Sequence, residues 1–233
     1  MNRVIVPLDV ESSDEALTWV DRLGDQGEFY KVGLELYTRA GPEVVRELID
    51  RGKRVFLDLK LHDIPNTVAG AVRAATDLGV DLLTVHASGG PTMLDAAARA
   101  RSGGLRLLAV TVLTSLSPDE MSTVWGREIR SVREEVGRLA ELAQEAGMDG
   151  IVASALEASW VRSQVGDDFM IVTPGIRPAG ADRGDQSRVA TPTDAIRAGA
   201  DYLVVGRPIT QAADPAAALA AVIEEVEQAA QEG

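Results

Sequence analysis

The sequence predicts an α/β protein whose 233 residues form a (β/α)8 barrel. Eight short runs of apolar and β-branched residues recur along the chain, separated by longer stretches whose apolar residues stand three or four positions apart. The repeat is about 30 residues long, the length of one βαβ unit. Near-continuous apolar strands of this kind are buried on both faces, as in the parallel sheet of a TIM barrel.

The strands are predicted from their shortness and their content of Val, Ile, Leu and Phe. In chain order they are Val4–Leu8, Phe29–Gly33, Val55–Leu59, Leu82–His86, Leu105–Thr111, Gly150–Ala153, Met170–Thr173 and Tyr202–Val205.

The helices between them are predicted from apolar periodicity. After the second strand it is carried by Val44, Val45, Leu48 and Ile49; after the fifth it is carried by Val132, Val136, Leu139, Leu142 and Ala143. Several helices are followed, just before the next strand, by a glycine suited to the left-handed position that ends a helix. These glycines are Gly52, Gly79, Gly147 and Gly199.

The chain is expected to be a single domain, residues 1–233, because no segment has the composition of a linker. The segment richest in proline and glycine, Pro174 to Gly184, lies between the seventh strand and the next helix and is therefore a loop. A doubly wound open sheet is the structural alternative. It is disfavoured because no GxGxxG motif follows the first strand and the chain does not divide into two halves.

Composition excludes several kinds of chemistry. The chain has no cysteine, which rules out disulfides, thiolate catalysis and cysteine-ligated metal clusters, and its only histidines are His62 and His86. A net charge of -13 argues against nucleic-acid and anionic-membrane surfaces. No apolar run approaches the ~18 residues of a membrane span. We therefore expect a soluble cytoplasmic protein with a small-molecule partner.

Charged residues stand where a barrel of this kind carries its active site, at the carboxyl ends of the strands. Asp58 and Lys60 are two positions apart in the third strand, so their side chains should share one face and interact. Asp9 and Lys31 reach the same end from neighbouring strands. Burying such charges costs little free energy only if positive and negative charges alternate in space. A lysine surrounded by carboxylates in this way stays protonated and can act as a proton donor. Because successive side chains of a strand point to opposite faces, His62 should point away from the face that carries Asp58 and Lys60.

The loops after the seventh and eighth strands are predicted to bind phosphate, which is the usual role of these two loops in such barrels. Gly175, Arg177 and Gln186 follow the seventh strand, and Gly206 and Arg207 follow the eighth. Together they offer backbone N–H groups, guanidinium groups and an amide. The long loop around Gly180 is a candidate lid over a phosphorylated ligand.

Six motifs in this order resemble the orotidine 5'-phosphate decarboxylase family in its bacterial form. They are DLKLHDIPNT (58–67), HASGG (86–90), VTVLTS (110–115), TPGIRP (173–178), GDQ (184–186) and VGRPIT (205–210). The Asp-x-Lys-x-x-Asp core is common to several sugar-phosphate decarboxylases and synthases. Its extension through Thr67, together with GDQ and VGRP, is far more specific.

The resemblance implies a cofactor-free and metal-free decarboxylation that completes the synthesis of uridine 5'-phosphate. It makes Lys60 the acid that protonates C6 of the pyrimidine and puts Asp58 against the substrate carboxylate. Lys31, Asp58, Lys60 and Asp63 would form the charged network. Asp63 and Thr67 would come from the partner subunit of a homodimer, with the site at the subunit interface.

The resemblance also implies the remaining contacts with the substrate. Asp9 and Lys31 would hold the ribose hydroxyls, and Thr114 would lie beside the pyrimidine. The residues expected to engage the phosphate or to close the loop over it are Arg177, Gln186, Gly206 and Arg207. Pro7 departs from the family's usual first-strand pattern but precedes Asp9 without replacing it.

Two other functions stay open at this point. The first is a magnesium-dependent sugar-phosphate lyase or decarboxylase of the same suprafamily, which binds its metal through strand-three carboxylates and a strand-two glutamate. Lys31 occupies that strand-two position here and opposes a cation. The second is a barrel that binds a phosphorylated ligand without catalysis, in which the charged network would be purely structural.

Overall fold

The structure of the protein, a computed structural model, describes residues 2–178 and 189–232. Eight parallel strands follow one another around a closed barrel in chain order, and the last pairs with the first. The predicted (β/α)8 barrel is confirmed. All carboxyl ends of the strands therefore meet at one mouth, which is where catalytic groups belong in this architecture.

The strands agree closely with the sequence prediction. They are β1 Val4–Leu8, β2 Phe29–Gly33, β3 Arg54–Leu61, β4 Leu82–His86, β5 Arg106–Val110, β6 Gly150–Val152, β7 Met170–Thr173 and β8 Tyr202–Val204. The bounds of β1, β2, β4 and β7 are as predicted. The main difference is β3, which runs past its expected end at Leu59 into the charged segment.

Helices cover the outside of the barrel. In the described residues they are α1 Ser13–Leu23, α2 Leu34–Ala40, α3 Glu43–Asp50, α4 Pro65–Leu78, α5 Pro91–Ala100, α6 Pro118–Trp125, α7 Val132–Glu145, α8 Ala155–Val165, α9 Pro192–Arg197, α10 Arg207–Thr210 and α11 Pro215–Gln231. The four glycines predicted to end helices, Gly52, Gly79, Gly147 and Gly199, all have positive φ. The sequence pattern did not separate α2 from α3, which are divided at Gly41 and Pro42.

Two apolar layers hold the fold together. The barrel interior is filled by one cluster, composed of Ile5, Phe29, Phe56, Leu82, Leu108, Met170, Val172, Tyr202 and Val204. A larger cluster of mostly aliphatic side chains occupies the space between the barrel and its helices. In the described part of the chain, no helix combines the length and the apolar character needed to cross a bilayer.

The opposite end of the barrel is closed by aspartates that stand just before even-numbered strands. Asp201 precedes β8, and its backbone N–H donates to the Ile171 carbonyl at 2.8 Å. Its carboxylate accepts the Ile171 N–H at 2.7 Å and the Arg162 guanidinium at 2.7 Å. Both polar backbone groups of one strand residue are thus satisfied by a single aspartate.

The same arrangement occurs three times. Each aspartate is the third residue of a Gly-x-Asp sequence, and we call the three Gly-x-Asp corners. Asp81 receives the Val55 N–H at 3.0 Å, and Asp149 receives the Leu107 N–H at 2.7 Å. Their arginine partners are Arg54 and Arg101. The glycine that ends a helix and the aspartate that starts the next strand therefore act together at each corner.

Candidate active site

The end of β3 departs from regular strand geometry. The four steps from Leu57 to Leu61 lie opposite only two steps of β4, from Leu83 to Val85, so β3 bulges. Lys60 lies in this bulge with φ of 51°, and it is the one non-glycine residue with positive φ in the described residues. Left-handed backbone is unfavourable for a residue with a long side chain and is typical of functional sites.

The bulge completes a chain of alternating charges across three strands. Lys60 Nζ lies 2.8 Å from Asp58 Oδ2, and Lys31 Nζ lies 3.7 Å from the same oxygen. Lys31 Nζ also contacts Asp9 Oδ1 at 3.1 Å. The Asp58 and Lys31 side chains are 12% and 13% exposed, whereas that of Lys60 is 37% exposed. The Lys60 ammonium is therefore the one more accessible to a bound molecule.

The other oxygen of the Asp58 carboxylate is held by a residue that the sequence analysis missed. Thr84 on β4 is fully buried, and its hydroxyl donates to Asp58 Oδ1 at 3.0 Å. The same hydroxyl oxygen accepts the backbone N–H of Lys60 at 2.8 Å. A threonine inside the apolar run LLTVH was the available signal, but threonine is also an ordinary strand residue.

Two residues assigned to the site by resemblance stay outside this charge chain. The Asp63 carboxylate accepts the N–H of the following residue, Ile64, at 2.6 Å. Asp63 is exposed, and Thr67 is exposed in the first turn of α4. Ile64, which stands between them, is 67% exposed although it is apolar.

The two histidines meet above the barrel mouth. Their ring centroids are 5.5 Å apart, and His62 is exposed. Burial lowers the pKa of His86 below its usual 6.5, as do His62 and the Lys60 ammonium, while Asp58 opposes the shift. The shift favours the neutral form of the His86 imidazole.

A cavity of about 590 Å³ opens at the same mouth on the side of β1, β2, β7 and β8. Its lining consists of Pro7, Asp9, Val10, Glu15, Trp19, Lys31, Pro174, Gly175, Arg177, Val204, Gly206, Arg207, Thr210 and Gln211. Asp9 and Lys31 belong both to this cavity and to the charge chain. The sequence analysis did not foresee Glu15 and Trp19, which lie on α1, or Gln211, which directly follows α10.

Four of the predicted phosphate residues, Gly175, Arg177, Gly206 and Arg207, line this cavity. Arg177 is buried and donates to the Ile176 carbonyl at 2.8 Å, and Arg207 begins the short helix α10. Gly206 approaches β1 so closely that a Cβ there would stand 3.0 Å from Pro7 Cγ. The absence of a side chain at Gly206 thus allows β8 and β1 to approach closely beside the cavity.

The loop after β7 is anchored where it leaves and rejoins the barrel, because Ile176 forms a parallel bridge with Ala190. The Arg177 N–H donates to the Ala190 carbonyl at 2.9 Å. Gln186 and the predicted lid around Gly180 lie outside the described residues. Thr114 is half-buried in a turn after β5 and is not part of the cavity lining.

Within residues 2–178 and 189–232, no three histidine, aspartate or glutamate side chains form a cluster suited to a metal ion. The position between Asp9 and Asp58 is filled by the Lys31 ammonium. A second cavity, of about 610 Å³, lies at the opposite end of the barrel beside Asp149 and Asp201. That end carries stability in barrels of this type.

Comparison with known proteins finds relatives that match nearly the whole chain. The family model described as "Orotidine 5'-phosphate decarboxylase / HUMPS family" matches residues 2–222. Orotidine 5'-phosphate decarboxylase of Moorella thermoacetica is 53% identical, covering 97% of this chain and 92% of its own length. That of Shewanella sediminis is 52% identical, with 94% of each chain covered.

A solved structure gives the same result in three dimensions. The crystal structure of orotidine 5'-phosphate decarboxylase from Lactobacillus acidophilus superposes with a TM-score of 0.87 at 40% identity. The match covers 97% of this chain and 99% of that one. With nearly the whole sequence and the whole barrel matched, the chain belongs to the orotidine 5'-phosphate decarboxylase / HUMPS family.

Proposed function

We propose that this protein is an orotidine 5'-phosphate decarboxylase, which releases carbon dioxide and forms uridine 5'-phosphate in pyrimidine biosynthesis without a cofactor. Its family and its relatives at about 50% identity support this activity. The observation that carries the chemistry is the Lys60 ammonium, 2.8 Å from Asp58 at the barrel mouth and beside an arginine-lined cavity.

The reaction breaks the bond between C6 of the pyrimidine and its carboxylate carbon. Carbon dioxide leaves, and the electron pair of that bond stays on C6. No adjacent carbonyl delocalises this charge, so the protein must stabilise it electrostatically. The ammonium of Lys60 is the cation for this role, and it then donates a proton to C6 to form the C–H bond of the product.

The arrangement around Lys60 fits a fixed proton donor. Asp58 binds the ammonium through one oxygen and receives the Thr84 hydroxyl on the other, so the carboxylate cannot rotate freely. A charge already oriented before the reaction costs no reorganisation when the carbanion forms. A substrate carboxylate against Asp58 would bring two like charges together, and its loss as neutral carbon dioxide relieves that repulsion.

The cavity next to the charge chain supports a phosphorylated substrate. Arg177 and Arg207 are cations on its wall, and Asp9 and Lys31 stand between them and Lys60. Gln186, outside the described residues, would add an amide donor. Binding energy from the remote phosphate can offset the cost of assembling a crowded charged site. A uniformly acidic surface would repel the phosphate and would not provide this binding energy.

We propose in addition that the site is shared by two subunits of a homodimer. Asp63 and Thr67 do not join the charge chain of their own subunit, and the apolar Ile64 between them is exposed. In the dimer, Asp63 of one subunit would extend the partner's charge chain beyond Lys60, and Thr67 would contact the partner's substrate.

We also propose a cytoplasmic location for the enzyme, because its product feeds nucleotide synthesis.

The activity is tested by following the loss of pyrimidine absorbance of orotidine 5'-phosphate in excess EDTA. We expect full turnover, because the Lys31 ammonium occupies the place between the carboxylates. Turnover that requires added magnesium would identify a metal-dependent lyase instead. No turnover by folded protein would leave a binding barrel and contradict the proposal.

The role of Lys60 is tested by Lys60→Ala, with Lys53→Ala as the matched control. Lys53 is remote from the site and donates to the Gly24 carbonyl at 3.2 Å. We expect Lys60→Ala to lose at least about a thousandfold in kcat, because one group supplies both the cation and the proton. Binding of uridine 5'-phosphate should persist. Near-normal kcat in Lys60→Ala would contradict the mechanism.

A further inference from the structure

The hydroxyl of Thr84 joins two neighbouring residues of the charge chain, Asp58 and Lys60. Its oxygen accepts the Lys60 backbone N–H at 2.8 Å, and its hydrogen is donated to Asp58 Oδ1 at 3.0 Å. The Thr84 side chain is 0% exposed, so no solvent competes for either bond. One neutral group inside the barrel therefore contacts both charged residues of the Asp58–Lys60 pair.

The two hydrogen bonds fix the backbone of Lys60 and the carboxylate of Asp58, which regular strand geometry alone would leave undetermined. The bulge in β3 takes the Lys60 N–H out of the regular ladder, and Thr84 provides its acceptor. The left-handed backbone of Lys60 is held only if its surroundings fix it. At Asp58, the Thr84 bond occupies Oδ1 and leaves Oδ2 for the Lys60 and Lys31 ammonium groups.

We propose that Thr84 is a positioning residue for the decarboxylation: it fixes the left-handed turn at Lys60 and the rotation of the Asp58 carboxylate, and so aims the proton donor. This inference rests on the proposed function. Thr84 acts through its two neighbours, so its hydroxyl should contribute to the chemical step and little to substrate binding.

The position requires a group that donates and accepts at once. A hydroxyl does both, whereas the valine side chain has nearly the same shape and does neither. Valine also retains the β-branching favoured in strands. Comparison of Thr84→Val with Thr84→Ser therefore separates the hydrogen bonds from the packing.

A matched control is available on another strand. Thr173 on β7 is as fully buried as Thr84, and within the described residues its hydroxyl has no hydrogen-bond partner. Thr173→Val makes the same chemical change without removing a bond. We expect it to leave kcat unchanged.

The test measures kcat and KM for orotidine 5'-phosphate and the affinity for uridine 5'-phosphate. We expect Thr84→Val to lower kcat about 10- to 100-fold, the usual effect of removing a hydrogen bond to a charged group. KM and product affinity should stay within about twofold. Thr84→Ser should keep kcat within about threefold of the wild-type value, because it retains the hydroxyl.

Several results would overturn the inference. Wild-type kcat in Thr84→Val would do so, as would a Thr84→Ser enzyme as impaired as Thr84→Val, or a defect confined to KM. If Thr84→Val folds poorly, Thr84→Cys is measured instead, because a thiol is a weak hydrogen-bonding group of similar size. A wild-type kcat in Thr84→Cys would also refute the proposal. Failure of the proposed function itself would show as an inactive wild-type enzyme.

Discussion

Lysine and arginine are used for different purposes in this chain. Of its 23 basic residues only three are lysines, and two of these, Lys31 and Lys60, belong to the charge chain. An arginine remains protonated and serves as a planar clamp, which suits a phosphate. A lysine is able to give up its proton. The position that must protonate carbon therefore carries Lys60, and the cavity wall carries Arg177 and Arg207.

The Lys31–Asp9 pair depends on a glycine beside it. A Cβ on Gly33 would stand 3.0 Å from Lys31 Nζ and 3.6 Å from Asp9 Oδ1, so Gly33→Ala shifts the ammonium by a few tenths of an ångström. The φ of Gly33 is -89°, which alanine adopts without strain. We expect KM for orotidine 5'-phosphate to rise about fivefold, equivalent to ~1 kcal/mol of binding, with an unchanged melting temperature.

Gly104→Ala is the control for this substitution, because a Cβ at Gly104 meets no atom within 4 Å. It should leave KM and stability as they are. An unaltered KM in Gly33→Ala would mean that the Lys31 ammonium is not needed where the structure has it.

The charged residues of the site were predictable individually, but their support was not. Asp58 and Lys60 are conspicuous because charges are rare inside apolar strands. Thr84 is inconspicuous because its hydroxyl becomes important only after β3 bulges toward it. Local alternation rules assume regular strands, and functional strand ends are where regularity fails.

At the scale of elements, the apolar runs predicted the strands well because parallel strands are buried on both faces. The bounds of β1, β2, β4 and β7 were correct to the residue. Errors arose where backbone conformation overrides the pattern. Strand β3 continues past its predicted end through Lys60, whose backbone is left-handed. Gly41 and Pro42 divide the segment after β2 into the two helices α2 and α3.

The Gly-x-Asp corners lead to a prediction about stability. Asp201→Ala removes the acceptor of the Ile171 N–H and of Arg162, and it leaves a buried strand-end donor unpaired. We expect the free energy of unfolding to fall by about 1 to 3 kcal/mol, measured by denaturant unfolding. Since this corner is at the end of the barrel opposite the site, kcat and KM should not change.

Asp168→Ala serves as the control because Asp168 is exposed at the same end of the barrel. Its unfolding free energy should match that of the wild type. A similar loss in both variants would show that negative charge at this end, and not the corner's hydrogen bonds, determines stability.

For the whole molecule, net charge and local charge have opposite signs. The chain carries -13 overall, yet its reactive mouth gathers Lys31, Lys60, Arg177 and Arg207. A substrate with a phosphate and a carboxylate requires this concentration of cations. The sequence predicted it from strand order alone, because closing the barrel brings all carboxyl ends together. The proposed sharing of the site between subunits leads to a prediction about mixed dimers.

Subunit complementation tests that sharing. If Asp63 serves the partner's site, co-expressed Lys60→Ala and Asp63→Ala chains form heterodimers in which one site carries both substitutions and the other carries neither. Random pairing makes half of the dimers mixed, so about a quarter of all sites regain wild-type composition. We expect about a quarter of wild-type activity from the mixture, far above that of either variant alone.

Lys60→Ala co-expressed with Lys60→Gln is the control and should show no recovery, because every site then lacks the proton donor. Absence of recovery in the first mixture, with heterodimers verified by two affinity tags, would show that each site is complete within one chain.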